Sequence, residues 1–266
     1  MNLDLEKICI QMTEVCLETG KFIRQEAQHF KKSAVEYKGN ADMVSYVDKT
    51  AEKQIVNSLS QILPEAGFLA EEKTADKLGL RYTWIIDPLD GTTNFIHGLP
   101  CYCISIALAE GNEIIAGVIY EINQDECFYA WKSGPAFLNK QIIQVSSASK
   151  LNESLFATGF AYYRYEKMQA YMQVFDELLR NSHGIRRLGS AAVDMAYVAC
   201  GRLEGFYEYG LNPWDVAAGI IIVKQAGGLV SDFSGGDDFL FGKEIVASGK
   251  EIFNPFYQVV NSHLGK

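Results

Sequence analysis

The chain is poor in the features that mark several large classes of protein. It has only 6 prolines in 266 residues, and no Gly/Ser-rich or Pro-rich tract, so it carries no compositional signature of a flexible linker or a low-complexity segment. Its 6 cysteines (Cys9, Cys16, Cys101, Cys103, Cys127, Cys200) form no Cys-x-x-Cys pair and have no histidine at zinc-ligand spacing. They are expected to be reduced and mostly buried thiols. No apolar run approaches the roughly 20 residues that a bilayer-spanning helix needs. The opening Met-Asn-Leu-Asp-Leu-Glu has neither the basic stretch nor the apolar core of a secretory leader. A cytoplasmic protein without a membrane segment is the expectation. Positive charge is the scarcer sign, with 24 Lys and Arg against 33 Asp and Glu for a net charge of -9. That balance argues against a nucleic-acid or anionic-membrane surface and suits a chain that gathers carboxylates for cations.

What is present is enough chain to bury a substantial core, in one large domain or two ordinary ones. Leu5, Ile8, Met12, Val15, Phe22 and Ile23 recur at helical spacing and predict an amphipathic helix from Leu3 to about Phe30. After the break at Lys38-Gly39-Asn40, a second helix is expected over Lys49 to Leu63, ending before Pro64. Strand-like runs follow at Gly67 to Glu72 and Tyr82 to Ile86, and then at Cys103 to Ala109, Glu113 to Tyr120 and Glu126 to Trp131, the last three of which predict a meandering antiparallel sheet. Beyond Ser146 short strands (from Leu155, Gly184, Gly205) alternate with helices (Tyr165 to Arg180, Ser190 to Cys200, Trp214 to Ala226), the texture of α/β layering. A last strand over Glu244 to Ala247 and a closing helix near Ile252 to Asn261 look structural. We place a soft boundary near residue 145, giving an N-terminal α+β unit over 1–145 and a C-terminal α/β unit over 146–266. With no linker composition between them, the two are expected to share a substantial interface.

The chain is organised around Asp87-Pro-Leu-Asp-Gly-Thr-Thr-Asn-Phe95, at the end of the apolar run Tyr82 to Ile86. Two carboxylates leave that strand end together. Pro88 and Gly91 set turns, and Thr92, Thr93 and Asn94 are residues that commonly open a helix, leaving backbone N–H groups outward. Carboxylate oxygens beside an anion cradle suit a hard divalent cation completed by a substrate phosphate. A plain polar turn is the bland reading of the same nonapeptide. Further acids invite the same question. Asp42 and Asp48 flank the second helix start, where Asp48 could simply be an N-cap. Glu71 and Glu72 would point to opposite faces of an extended segment. Glu208 precedes Asp215, which either caps the apolar helix after Trp214 or aims into a cleft. Gly189-Ser-Ala-Ala192 is either a capped helix start or a place where small residues let a ligand approach the backbone. His97, beside Gly98 and Pro100, reads as a loop residue.

Taken together, Asp42 with Asp48, Glu71-Glu72, the nonapeptide Asp87 to Phe95, and Trp214-Asp215 opening an apolar helix that ends in Ala226-Gly227-Gly228 closely resemble the inositol monophosphatase family, and the resemblance runs through nearly the whole chain. It implies a sandwich of alternating helix and sheet layers, mixed α+β and α/β, and a Mg2+-dependent, lithium-sensitive phosphatase that acts as a homodimer. Carried onto this sequence, it implies that Glu71, Asp87 and the carbonyl of Leu89 hold one Mg2+ and that Asp87, Asp90 and Asp215 hold a second. Asp42 would lie near a third, weaker ion. Thr92, bonded to Asp48, would with Glu71 orient and deprotonate the attacking water, and the Gly91 and Thr92 amides would take phosphate oxygens. Asp90, Gly189, Ala191, Glu208 and Asp215 would surround the substrate. Inositol 1-phosphate is the implied substrate. Fructose 1,6-bisphosphate, histidinol phosphate and adenosine 3',5'-bisphosphate are the alternatives.

The segment Gly159-Phe-Ala-Tyr-Tyr-Arg164 varies within the family, so Tyr162, Tyr163 and Arg164 leave the shape of the substrate open. Thr93-Asn94-Phe95 is the form typical of the inositol-phosphate branch. A haloacid-dehalogenase reading fails on spacing, because that family's motif sets its acids two apart and Asp87 and Asp90 are three apart. A non-catalytic interaction protein on the same fold is the rival from another class. It would have no need of Glu71, Thr92 and Asp48 together.

Overall fold

The computed structural model describes residues 3–30, 35–39, 42–75, 77, 79–160 and 166–265, with the side chains of 35–39 and 42–44 outside that description. The elements stack as helices, sheet, helices, sheet, helices. A seven-stranded sheet runs β3 (Gly67–Ala70), β4 (Tyr82–Asp90), β5 (Cys103–Glu110), β6 (Glu113–Glu121), β7 (Glu126–Trp131), β8 (Ala136–Leu138) and β9 (Gln141–Ile142) in sequence order. Only the β3/β4 pair is parallel; β5, β6 and β7 form the expected meander, which β4 extends on one side and β8 and β9 on the other.

Alternation along these strands separates two faces. Trp84, Ile86, Ile104, Ile106, Leu108, Val118 and Tyr120 face one core, shared with Ile8, Met12, Cys16 and Ile23 of α1 (Leu5–His29) and Val47, Ile55 and Leu59 of α2 (Tyr46–Ile62). Ile85, Cys103, Ala107, Ile119 and Phe128 face the other core, shared with α5 (Ala191–Ala199) and α6 (Pro213–Gln225). Val216 to Val223 of α6 is buried on every side, as befits a helix apolar all round and enclosed between two sheets.

The second sheet has the order β11 (Ile185–Arg186), β10 (Phe156–Thr158), β12 (Gly205–Tyr209), β14 (Glu244–Ser248), β13 (Leu229–Ser231). Phe156, Tyr207 and Val246 turn away from α5 and α6 onto α4 (Met168–Asn181) and α7 (Phe253–Leu264). The central core therefore draws side chains from both sides of residue 145.

Several expectations shift. The second helix begins at Tyr46, three residues early, and Asp48 is its third residue, not its N-cap. Ser45 is the cap, and the Asp48 carboxylate accepts from the Ser45 amide at 2.9 Å, closing a capping box. β3 stops at Ala70, so Glu71 and Glu72 lie in a turn, not on an extended strand. α6 starts at Pro213, which places Asp215 inside its first turn. A hairpin of β1 (Val35–Gly39) and β2 (Asp42–Ser45), the short strands β8 and β9, and β13 went unpredicted. Their hydrophobic runs are too short to show a period.

Candidate active site

The nonapeptide owes its geometry to a β-bulge. Asp87 pairs with Ser105 and Asp90 with Cys103, so three steps along β4 match two along β5. Residues three apart on a regular strand face opposite sides. The extra residue returns Asp90 to the face of Asp87, and both side chains open into one cleft. Leu89 N–H donates to Asp87 Oδ1 at 2.9 Å, which fixes the first carboxylate against the bulge. Gly91 follows with φ +95° and caps the short helix α3 (Thr92–His97), whose first N–H groups receive no side-chain cap. A Cβ at Gly91 would come within 2.9 Å of the Cys101 carbonyl, so both backbone angle and space call for glycine there.

Further segments line the cleft: Glu71 from the turn after β3, Gly159 and Phe160, Gly189 to Ala191 before and at the start of α5, Glu208 at the end of β12, and Trp214 with Asp215 on α6. Asn94 ties the segment before β5 to the one after β11, its Nδ2 donating to the carbonyls of Cys101 at 2.7 Å and Leu188 at 2.8 Å. Asp90 Oδ2 accepts from Ser190 Oγ at 2.7 Å and from Ala192 N–H at 2.8 Å, which commits that oxygen to the start of α5. Asp215 Oδ2 accepts from the Asn212 amide at 2.6 Å, so Asp215 caps its helix and lines the cleft at once.

Asp48 lies behind the cleft, fully buried, and reaches it through Thr92. Thr92 Oγ1 is 3.0 Å from Asp48 Oδ1 and 2.9 Å from the Leu89 carbonyl oxygen. A hydroxyl has one proton, so it donates to one of the two at a time. If the Leu89 carbonyl is engaged by a cation, the proton is left to Asp48, and the Oγ1 lone pairs turn to the cleft.

The electrostatics are those of crowded acids. Burial, then the charges of Glu71, Asp90 and Asp215, push the Asp87 carboxyl well above its usual range. Burial likewise raises Asp90 and Asp48. Asp215 is pushed up to about 7 by burial and then by Asp90, and Glu208 to about 8 by burial and then by Asp215. Arg187 moderates Asp90 and Glu208, and Lys243 moderates Asp215. So many carboxylates cannot all ionise together without added positive charge. The donors are all oxygen, carboxylates and the Leu89 carbonyl, which is the chemistry of a hard cation such as Mg2+. Among the described residues no three acidic side chains are already closed around one point. The residues fit a divalent ion by donor type, shared cleft and charge deficit.

Sequence reasoning missed several cleft residues. Arg187 sits in the wall, one residue beyond the strand β11. Asp194, buried with no hydrogen-bond partner for Oδ1, is raised well above the carboxylate range by burial and by Glu208. Its signal was a lone charge in the otherwise apolar Ala191–Ala199. His97 is exposed at the end of α3 and takes no part. Tyr162, Tyr163 and Arg164 lie outside the described residues, as does the side chain of Asp42, on β2.

The sequence model of the inositol monophosphatase family matches residues 4–264. An inositol-1-monophosphatase of Mesorhizobium japonicum is 37% identical over 95% of this chain and 96% of its own length. A Nus factor SuhB of Pseudomonas aeruginosa is 37% identical over 92% of each chain. The crystal structure of extragenic suppressor protein suhB from Bartonella henselae superposes with a TM-score of 0.89 at 37% identity, covering 97% of this chain and 100% of that one. Matched from end to end in sequence and in fold, this chain belongs to the inositol monophosphatase family and is a phosphatase.

Proposed function

We propose that this phosphatase hydrolyses a small polyol phosphate monoester, inositol 1-phosphate foremost, and that it does so with Mg2+. The observation that carries the reading is the convergence of Glu71, Asp87, Asp90 and Asp215 on one cleft beside the uncapped start of α3. Glu71, Asp87 and the Leu89 carbonyl would hold one ion. Asp87, Asp90 and Asp215 would hold the other, and the Asp42 position is left for a third. Bound there, Mg2+ supplies Lewis acidity and charge neutralisation for an in-line displacement at phosphorus.

The protein's own groups do the rest. Thr92, its proton directed to Asp48, accepts a hydrogen bond from the attacking water, and Glu71 takes that water's proton. The Gly91 and Thr92 amides would be offered to the phosphate oxygens, where fixed dipoles stabilise charge that grows in the transition state. Asp90, Gly189, Ala191 and Glu208 read the hydroxyls of the leaving alcohol. No covalent phosphoenzyme is needed. Homodimer formation, lithium inhibition and a cytoplasmic location belong to the same reading, and no helix among the described residues is long and apolar enough to cross a membrane.

The test is phosphate release from inositol 1-phosphate, fructose 1,6-bisphosphate, histidinol phosphate and adenosine 3',5'-bisphosphate, with Mg2+ and with chelator. Release from inositol 1-phosphate that depends on Mg2+ supports the reading. Preference for a nucleotide or histidinol ester would replace the substrate, and no release from any ester would favour an interaction protein on the same fold.

A further inference from the structure

Glu52 is an acid that the mechanism above does not use. It lies on α2, four residues after Asp48 and therefore on the same helix face, with a fully buried side chain. Its two oxygens reach across to the turn after β3. Oε2 accepts from the Glu72 N–H and Oε1 from the Thr74 N–H, each at 2.7 Å.

Those two bonds complete the backbone account of the turn. Glu71 N–H donates to the Ile86 carbonyl at 3.2 Å and Lys73 N–H to the Ala70 carbonyl at 3.3 Å. The Glu72 and Thr74 amides go to Glu52, so each N–H from 71 to 74 has an acceptor. Without Glu52, half of the turn's donors lose theirs, so a buried side chain on a neighbouring helix helps order this short polar segment.

We infer that Glu52 is a positioning residue for the reaction, clamping the Ala70 to Thr74 turn so that Glu71 is presented to the cleft. Asp48 and Glu52, one helical turn apart, then act as paired struts. Asp48 holds the Thr92 hydroxyl, Glu52 holds the backbone that carries Glu71, and α2 sets the two water-orienting groups in one frame. This inference rests on the proposed roles of Glu71 and Thr92. Its physical basis is independent of them, since a carboxylate that accepts two backbone N–H bonds is matched by no neutral side chain. In Glu52→Gln one amide keeps an oxygen acceptor while the other meets an NH2 group.

The experiment compares wild type with Glu52→Gln and Glu52→Leu. Hydrogen exchange of the Glu72 and Thr74 amides is read in the metal-free protein, and kcat, substrate KM and the Mg2+ concentration for half-activation are read in the loaded enzyme. We expect exchange at the two amides to quicken by roughly tenfold or more in Glu52→Gln while the sheet amides stay protected. We expect kcat to fall and the Mg2+ requirement to rise by about 10- to 100-fold in total, the usual cost of removing a group that orients a metal ligand. Substrate KM should hold within about twofold, because Gly189, Ala191 and Glu208 come from segments that Glu52 does not contact. A merely structural role would instead move the global stability and all amides together. Unchanged exchange in Glu52→Gln overturns the inference whatever the activity, and so does quickened exchange with unaltered kcat and Mg2+ dependence. If Glu52→Leu does not fold, the near-isosteric Gln variant decides alone. Wild type that releases no phosphate at all would sink the proposed function, and the exchange result would still report whether Glu52 holds the turn.

Discussion

Glu208 gives the sharpest quantitative handle on the crowded acids, because its perturbation can be read without substrate or metal. In the folded chain burial, then Asp215, lifts its carboxyl from 4.5 to about 8. A carboxyl whose folded pKa is raised favours the folded state while both states are protonated, and that stability is lost as pH climbs through the folded pKa. The window runs from 4.5, where the unfolded side chain ionises, to about 8, where the folded one does. Each pH unit in it costs about 1.4 kcal/mol, on the order of 5 kcal/mol in full. Glu208 is half-buried in the cleft wall, so about 2 kcal/mol is the figure to expect after screening. Glu208→Gln removes the titration and keeps the shape. Urea unfolding of both proteins in chelator at pH 5, 6, 7 and 8 should show the Gln variant gaining stability relative to wild type as pH rises, by about 2 kcal/mol at pH 8, or roughly 4 °C in Tm for a chain of this size. The Asp215 titration is present in both proteins and cancels to first order. A difference between the two that is flat from pH 5 to 8 would refute the reasoning.

In the loaded enzyme the same variant should raise KM for polyol phosphates and leave the Mg2+ requirement in place, which steady-state kinetics would show. Excess chelator should abolish turnover, and Ca2+, with longer bonds and a looser shell, should inhibit the Mg2+ enzyme in phosphate-release assays. Asp90→Asn should stay folded by circular dichroism, since its amide oxygen can still accept from Ser190 and Ala192. It should lose more than ~100-fold in turnover, beyond what a partner one step further from the ion costs. Glu71→Gln should cost at least ~100-fold in kcat, the scale of a lost general base, and Glu72→Gln far less. A larger loss at Glu72 would move the first ion to the neighbouring acid.

The sequence declared the site's ingredients better than their arrangement. The apolar strand before Asp87, the wholly apolar α6 and the meander after Cys103 were legible because each carries a clear period or a long apolar run. The bulge that brings Asp87 and Asp90 to one face was not, because register is a property of two strands and β4 shows only one of them. Asp48 was open to misreading as a cap because Asp is itself a favoured cap residue, although Ser45-x-x-Asp48 has the spacing of a capping box. Glu71 and Glu72 read as strand because they continue an apolar run, and it takes Glu52, some twenty residues earlier, to hold them in a turn. Arg187 and Glu52 share that character. Arg187 offsets the charges of Asp90 and Glu208, and Glu52 accepts from Glu72 and Thr74, partners distant in the chain that local spacing does not encode.

The central claim is that a divalent ion held by acids on this cleft drives hydrolysis of a small phosphate monoester. The most direct measurement is phosphate release from inositol 1-phosphate by wild type and Glu71→Gln, each titrated with Mg2+ from chelator upward. The account predicts no release in chelator, saturable activation of wild type by Mg2+, and a Glu71→Gln enzyme at least ~100-fold slower at saturation. Release by wild type that persists undiminished in chelator, or a Glu71→Gln variant as fast as wild type, would contradict it.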